Sequence, residues 1–305
     1  MSRERSYGVR MKKLMLIVNP NAGRGAYKVN FVEALNMLDA NGYSVTLFFT
    51  RQQGDATVFV EKYARSFDAI ICIGGDGTLS EAMSGLMRSE KKPYLGYIPM
   101  GTANDVATTL NLPKNDILGA VERFIDGKPH LYDVGGFGPD KYFAYIAAFG
   151  AFTEASYATP QSQKKVFGHL AYVIQGAMLL PKIHSYHTIV EYDGGVIEAD
   201  LMYGSMSNST SAAGIFRLPE QMVGLGDGMS ELVLVKDPGN MEGLSEILTS
   251  VITQKYDSDK LLVLHTKKAK FIFDEPVAWT RDGEAGGEYK EIELCNYEAP
   301  INMIF

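Results

Sequence analysis

Leu14–Val18 is an unbroken apolar run of strand length, and Phe31, Ala34, Leu35 and Leu38 then recur at helical spacing. Tyr43–Phe49 reads as a second strand, and Ala56, Phe59, Val60 and Tyr63 mark a second helix. Ala69–Ile73 is short and wholly apolar; a glycine-rich turn follows it, then a helix near Leu79–Met87. Tyr94–Ile98 repeats the unit, with a loop and a helix from about Asn104, and Ile117–Ile125 predicts one more helix with Gly127 as its C′ residue. Continuous apolar strands alternating with amphipathic helices predict a parallel sheet covered on both faces. An α/β domain is expected over residues 1–130, with the polar residues 1–10 as a disordered lead.

After His130 the pattern changes. Segments rich in Tyr, Phe, Val and Ile follow one another with turn signals between them: Lys141–Phe149, His184–Tyr192, Val196–Tyr203, Glu231–Val235, Leu261–His265, Lys270–Phe273, Val277–Thr280 and Lys290–Leu294. Asp193-Gly194-Gly195 between two of them is a hairpin signal. Two helices interrupt, Lys164–Leu180 and Met241–Gln254. A mostly antiparallel second domain over 131–294 is expected, with 295–305 as a C-terminal segment returning to the first domain.

Composition narrows the class. A chain of 305 residues with 46% hydrophobic content can bury a core without disulfides. Cys72 and Cys295 lie in apolar strand-like stretches and read as buried thiols of a reducing compartment. The formal net charge of −7 disfavours nucleic acid as a partner, because phosphate backbones select basic surfaces. No apolar run approaches the ~20 residues of a spanning helix, and the N-terminus has no signal-peptide core. A cytoplasmic protein is expected.

Three loops carry candidate chemistry. Gly74-Gly75-Asp76-Gly77-Thr78 joins a buried strand to a helix, so its backbone N–H groups and the positive helix end suit a phosphate, and Asp76 suits a magnesium ion or its water shell. The plain structural alternative is a tight turn capped by Asp and Thr. Pro99-Met100-Gly101-Thr102-Ala103-Asn104-Asp105 occupies the next strand end, where a parallel sheet presents its crevice, although Asn104 or Asp105 also suits a simple helix cap. Asn19-Pro20-Asn21-Ala22-Gly23-Arg24-Gly25 follows the first strand, and Thr50 ends the second. By itself, Asp282-Gly283-Glu284 is a hairpin turn with a solvated carboxylate. The chain lacks a Walker loop, protein-kinase signatures, a G-x-G-x-x-G turn after the first strand and a zinc-like Cys/His cluster.

Taken in order, VNPNAGRG (Val18–Gly25), GGDGTLSE (Gly74–Glu81), PMGTANDVA (Pro99–Ala107), GDGMSELVLV (Gly226–Val235) and RDGE (Arg281–Glu284) resemble the soluble lipid kinases. That family includes bacterial diacylglycerol kinases and, more distantly, the catalytic domains of sphingosine and ceramide kinases. The resemblance implies a nucleotide-binding domain similar to that of phosphofructokinases and NAD kinases, a C-terminal β-sandwich, and an active site in the cleft between them. It implies ATP contacts at Asn19, Pro20, Asn21, Ala22, Gly23, Thr50, Gly75, Asp76, Gly77, Thr78, Leu79, Ser80, Glu81 and Thr102. It makes Glu284 the general base, with Asp76 beside a catalytic magnesium ion. A structural magnesium would be held by backbone oxygens of Gly224 and Met229 and the Asp227 carboxylate.

Diacylglycerol is the leading substrate, and the family suggests homodimers. Two positions depart from the pattern: Ser230, where a larger apolar residue is usual, and Ser205–Gly214, richer in Ser and Ala than expected. The Lys164–Leu180 segment is amphipathic and suits either peripheral docking on a membrane or a core or dimer helix. An NAD kinase is the competing enzyme, because it shares G-G-D-G-T, and a catalytically silent nucleotide-binding regulator is the competitor from another class.

Overall fold

The computed structural model describes residues 11–23, 29–151, 184–212, 216–256 and 258–305. Residues 1–10, Arg24, Gly25 and the Lys164–Leu180 segment lie outside these. The chain forms two compact units, Met1–Tyr132 with Ile301–Phe305, and Asp133–Pro300.

In the first unit the elements run β1 (Lys12–Val18), α1 (Phe31–Ala40), β2 (Tyr43–Phe49), α2 (Asp55–Tyr63), β3 (Ala69–Gly74), α3 (Asp76–Arg88), β4 (Tyr94–Pro99), α4 (Asp105–Thr109) and α5 (Ile117–Asp126). Strand β1 pairs in parallel with both β2 and β3, and β3 with β4. Every residue of β3 is buried, as a strand covered on both faces requires. The core on one side combines Leu14, Leu16, Ile71 and Ile73 with Leu38 of α1 and Val121 and Phe124 of α5. Helix α5 is capped at its start by Asp116, whose carboxylate accepts from Gly119 N at 3.0 Å. Gly127 ends it for a different reason from the one expected. Its φ of −70° is not left-handed, and a Cβ there would lie 2.5 Å from Arg123 O. Space, not conformation, selects the glycine.

The second unit is antiparallel. Its strands are β5 (Pro129–Phe137, beginning in the first unit), β6 (Lys141–Phe143), β7 (Ile146–Gly150), β8 (Tyr186–Tyr192), β9 (Gly195–Ser207), the short pair β10 (Ser211–Ala212) and β11 (Phe216–Arg217), then β12 (Ser230–Lys236), β13 (Leu261–Thr266), β14 (Lys268–Arg281) and β15 (Glu284–Ile304). One helix, α6 (Met241–Thr253), interrupts them. The sandwich implied by the resemblance takes another form here. Strand β9 pairs with β7 and β8, and β14 pairs with the same two, which closes a four-strand ring. Phe149, Phe271, Phe273 and Trp279 fill it, with ring centroids 4.9–6.4 Å apart. Strand β15 is far longer than the predicted Lys290–Leu294. Its last residues, Met303 and Ile304, pair in parallel with β4 of the first unit.

Cys72 is fully buried, and burial pushes its thiol pKa up; Cys295 is only half-buried, so the expectation of two buried thiols holds for one. Among the described residues, no helix is long and apolar enough to cross a membrane.

Candidate active site

Strands β3 and β4 end side by side, with Gly74 opposite Pro99. The two glycine loops therefore leave the sheet together. Met100 N donates to Gly74 O at 2.7 Å, and a Cβ on Gly101 would lie 2.5 Å from Gly75 Cα. This is backbone packed on backbone, which no residue with a side chain at 101 could reproduce. Gly77 is a different case. A Cβ there would meet nothing within 4 Å, and its φ is not left-handed. It sits in the first turn of α3, whose N-cap, Gly75, supplies no side-chain cap. The fold has no use for a glycine at 77, and it costs about 1 kcal/mol there relative to alanine.

Asp76 ties the loops together. It is 7% exposed; Oδ2 accepts from Asp105 N at 2.9 Å, and Oδ1 accepts from Val106 N at 3.2 Å and the Tyr97 hydroxyl at 3.4 Å. It thus caps α4 from another loop. Asn104, one of the two residues suited to a cap, stands at the N-cap position of α4 but with φ 52°, and its side chain folds back: Oδ1 accepts from Gly101 N and Nδ2 donates to Gly101 O, both at 2.9 Å. The Tyr97 hydroxyl also reaches Asn104 Oδ1 at 3.3 Å. Burial and then the Asp76 charge push the Tyr97 pKa up, so this hydroxyl stays a donor. With both Asp76 oxygens engaged, little of the carboxylate remains for direct chelation. It fits the water shell of a metal better than a metal's inner sphere.

The first loop joins this cluster through Asn19, whose Nδ2 donates to Thr78 Oγ1 at 3.1 Å while its own Oδ1 accepts from Asn21 N at 3.0 Å. Pro20, Ala22 and Gly23 complete that loop, Gly23 with φ 55°. Thr50 is buried at the end of β2, its N–H donating to Val18 O. Ser80 is buried on α3 and Thr102 is exposed on the second loop. Two residues of the implied ATP set have side chains engaged elsewhere. Leu79 is fully buried, and the Glu81 carboxylate accepts from Gly54 N at 2.8 Å and Ala56 N at 3.2 Å, capping α2. A cavity of about 480 Å³ opens beside Lys12, Tyr43, Tyr94 and Phe124, at the opposite ends of the strands from these loops.

In the second unit, Arg281 pairs with Glu284 across a two-residue turn in which Asp282 (φ 49°) and Gly283 (φ 81°) are both left-handed. The Asp282 carboxylate is buried and accepts from the N–H groups of Ala144 (2.7 Å), Tyr145 (3.0 Å) and Ile146 (3.2 Å). Those bonds explain why the predicted strand Lys141–Phe149 breaks into β6 and β7. Glu284 remains exposed at the head of β15. Aspartate and glutamate in one short motif thus divide into a structural and an available carboxylate.

The Gly224–Met229 loop wraps round Asp227. Oδ1 accepts from Met229 N at 2.9 Å, and Oδ2 lies 2.0 Å from where a Cβ on Gly224 would stand, so only glycine admits this carboxylate. A carboxylate with two backbone carbonyls is an all-oxygen set of the kind a magnesium ion takes, and these residues fit one. Among the described residues, no group of three His, Cys, Asp or Glu is arranged to hold a metal. Ser230 is buried and accepts from Asn296 Nδ2 at 2.9 Å, and the same amide donates to Met229 O at 2.7 Å. The unusual serine is therefore matched by a polar partner. Asp133 beside it accepts from Gly228 N and Ala299 N, while burial raises its pKa. Burial also pushes Glu231 up to about 8; the N–H groups of Glu231 itself and Ser209 lie close enough to soften the rise without meeting hydrogen-bond geometry.

Tyr97, the bridge between Asp76 and Asn104, carries no sequence signal beyond its place in an apolar strand. The comparisons bear on the whole arrangement. Residues 13–137 match the diacylglycerol kinase catalytic domain. The chain is 33% identical to a diacylglycerol kinase of Bacillus subtilis over 280 residues, 91% of each chain. It is also 33% identical to one from Staphylococcus aureus over 303 residues, 96% of this chain and 92% of that one. A solved Bacillus anthracis protein assigned as a diacylglycerol kinase superposes with a TM-score of 0.81 at 26% identity, covering 97% of this chain and 98% of the other. The ordered motifs, the glycine loops locked at adjacent strand ends and these relatives agree: the chain belongs to the diacylglycerol kinase family and is a lipid kinase.

Proposed function

We propose that the protein transfers the γ-phosphoryl group of ATP, in a magnesium-dependent reaction, to the free hydroxyl of diacylglycerol, giving phosphatidic acid. The observation that carries this reading is the joining of two glycine loops by one carboxylate, beside an uncapped helix start that holds a glycine the fold does not need. Backbone N–H groups there suit the β- and γ-phosphates. In a loose phosphoryl-transfer transition state, positioning and charge neutralisation supply most of the catalysis.

Asp76 keeps the loops in register and would hold the water shell of a magnesium ion bound with the nucleotide, which would supply charge neutralisation at the phosphate oxygens. Glu284 accepts the proton of the acceptor hydroxyl as that oxygen attacks phosphorus; the β-phosphate oxygen leaves with ADP. Gly224 O, Met229 O and Asp227 would hold a structural magnesium ion that organises their loop. Lipid acceptors reside in membranes, so the enzyme works at a membrane surface from the reducing side of the cell. The test is purified protein with labelled ATP and magnesium against diacylglycerol, monoacylglycerol, phosphatidylglycerol, sphingosine and NAD. Label in phosphatidic acid, well above the others, is expected. Label in NAD phosphate, or in none, would overturn the reading.

A further inference from the structure

On β9 the Met206 side chain joins the aromatic filling and a Cβ at Gly204 would point at Phe149, so Tyr203, Ser205 and Ser207 face the other way. Strand register extends that second face across its neighbours. Ser207 lies opposite Glu231 of β12 and Ile146 of β7, and Ser205 opposite Val233 and Ala148. Every one of these residues is buried, Glu231 to 1% exposure and Ser205 and Ser207 to 0%. No hydrogen bond of good geometry reaches the Ser207 hydroxyl or the Glu231 carboxyl oxygens among the described residues, the nearest donors to Glu231 being its own N–H and that of Ser209. Ser205 has the Tyr203 hydroxyl as its neighbour.

Buried polar atoms without partners cost about 1–3 kcal/mol each and call for an occupant. The chemistry of this one is legible. A carboxyl group that burial keeps protonated and two hydroxyls exchange hydrogen bonds with hydroxyl and ester oxygens, whereas a phosphate buried among these uncharged groups would carry an unpaired charge. In the next row on the same face apolar Val233 and Ala148 flank Ser205, and Val235 follows opposite Tyr203. A polar spot running into an apolar strip has the pattern of an amphiphile. The spot is also near the reaction. Asp282 N donates to Ile146 O, the residue beside Ser207, so Ser207 is two strand spacings, roughly 10 Å, from the turn that carries Glu284.

We propose that Ser205, Ser207 and Glu231 form a subsite for an uncharged, hydroxyl- or ester-bearing lipid headgroup, holding the part of the acceptor that is not phosphorylated. This rests on the lipid-kinase reading for its purpose but not for its test. Wild-type protein, Glu231→Gln and Ser207→Ala are compared with 1,2-dioctanoylglycerol in detergent micelles by two readouts, acceptor kinetics and the rise in melting temperature on adding the lipid. The subsite predicts a KM for dioctanoylglycerol about tenfold higher in each variant, an unchanged KM for ATP, and a melting rise that shrinks or vanishes. A lipid-induced rise that depends on Glu231 in a protein without kinase activity supports the subsite and sinks the kinase reading. Active variants with wild-type acceptor KM and an undiminished rise, or a wild-type protein with no rise at all, overturn the subsite.

Discussion

Gly77→Ala separates what the fold needs from what a ligand needs. The new methyl group would stand in open space, and the position lies in the first turn of α3. Alanine in place of glycine in a helix stabilises by roughly 0.5–1 kcal/mol, or about 2–4 °C in a unit of this size. If phosphate oxygens rest on the backbone at 77, the same methyl holds them off. Loss of one charge-assisted hydrogen bond, worth about 1.5–3 kcal/mol, weakens ATP by roughly 10–100-fold. Gly101→Ala is the contrasting variant. Its Cβ would lie 2.5 Å from Gly75 Cα and 2.7 Å from Asn104 Oδ1, with backbone the first obstacle. It should lose about 1–3 kcal/mol of stability and ATP affinity with it. The assay is thermal melting alongside titration of a fluorescent ATP analogue. A stabilised Gly77→Ala protein that binds ATP like the wild type would refute the phosphate seat.

Three further outcomes follow from the hydrogen bonds and burial. Asp76→Asn replaces one accepting oxygen with a donor facing Asp105 and Val106 N–H groups, so melting should fall by about 1–3 kcal/mol and turnover should collapse; normal turnover would contradict the role of this carboxylate. Asp282→Ala strands three buried N–H groups and should cost at least about 3 kcal/mol, whereas exposed Glu284→Gln should leave stability within about 0.5 kcal/mol and cut kcat by ~10²–10⁴. The reverse pattern in melting and turnover would exchange their assigned roles. Glu231 and Asp133 both have raised pKa values, so the folded state holds protons that the unfolded chain releases. Stability should therefore be greatest below the ordinary carboxylate range and fall as pH climbs towards about 8, by up to about 1.4 kcal/mol per unit for Glu231. Melting temperatures across pH 5 to about 8 should flatten in Glu231→Gln; an equally steep variant would contradict this.

What the sequence revealed was local. Apolar runs such as Leu14–Val18 and Ala69–Ile73 set the strands, and the glycine loops are visible because tight turns demand particular residues in particular places. What it hid depends on partners far along the chain. Asp76 caps a helix starting 29 residues later, and Asp282 breaks a strand 136 to 138 residues earlier. Such side-chain-to-backbone bonds leave no periodicity, so Lys141–Phe149 read as one strand, and the side chain that caps α4 was sought in Asn104 or Asp105 rather than in Asp76. Tyr97 was invisible for a related reason: in an apolar strand its ring looks like core, and only its hydroxyl has the site as its target. Glu81 shows another tie of this kind. A motif residue matched by position has its carboxylate committed to α2.

Backbone amide signals of Gly75, Gly77 and Gly101, followed by NMR while a non-hydrolysable ATP analogue and magnesium are added, address the phosphate seat most directly. All three should shift together and saturate at one nucleotide concentration, because Asp76 makes their loops a single structure. Shifts confined to one loop, or none in either, would contradict it.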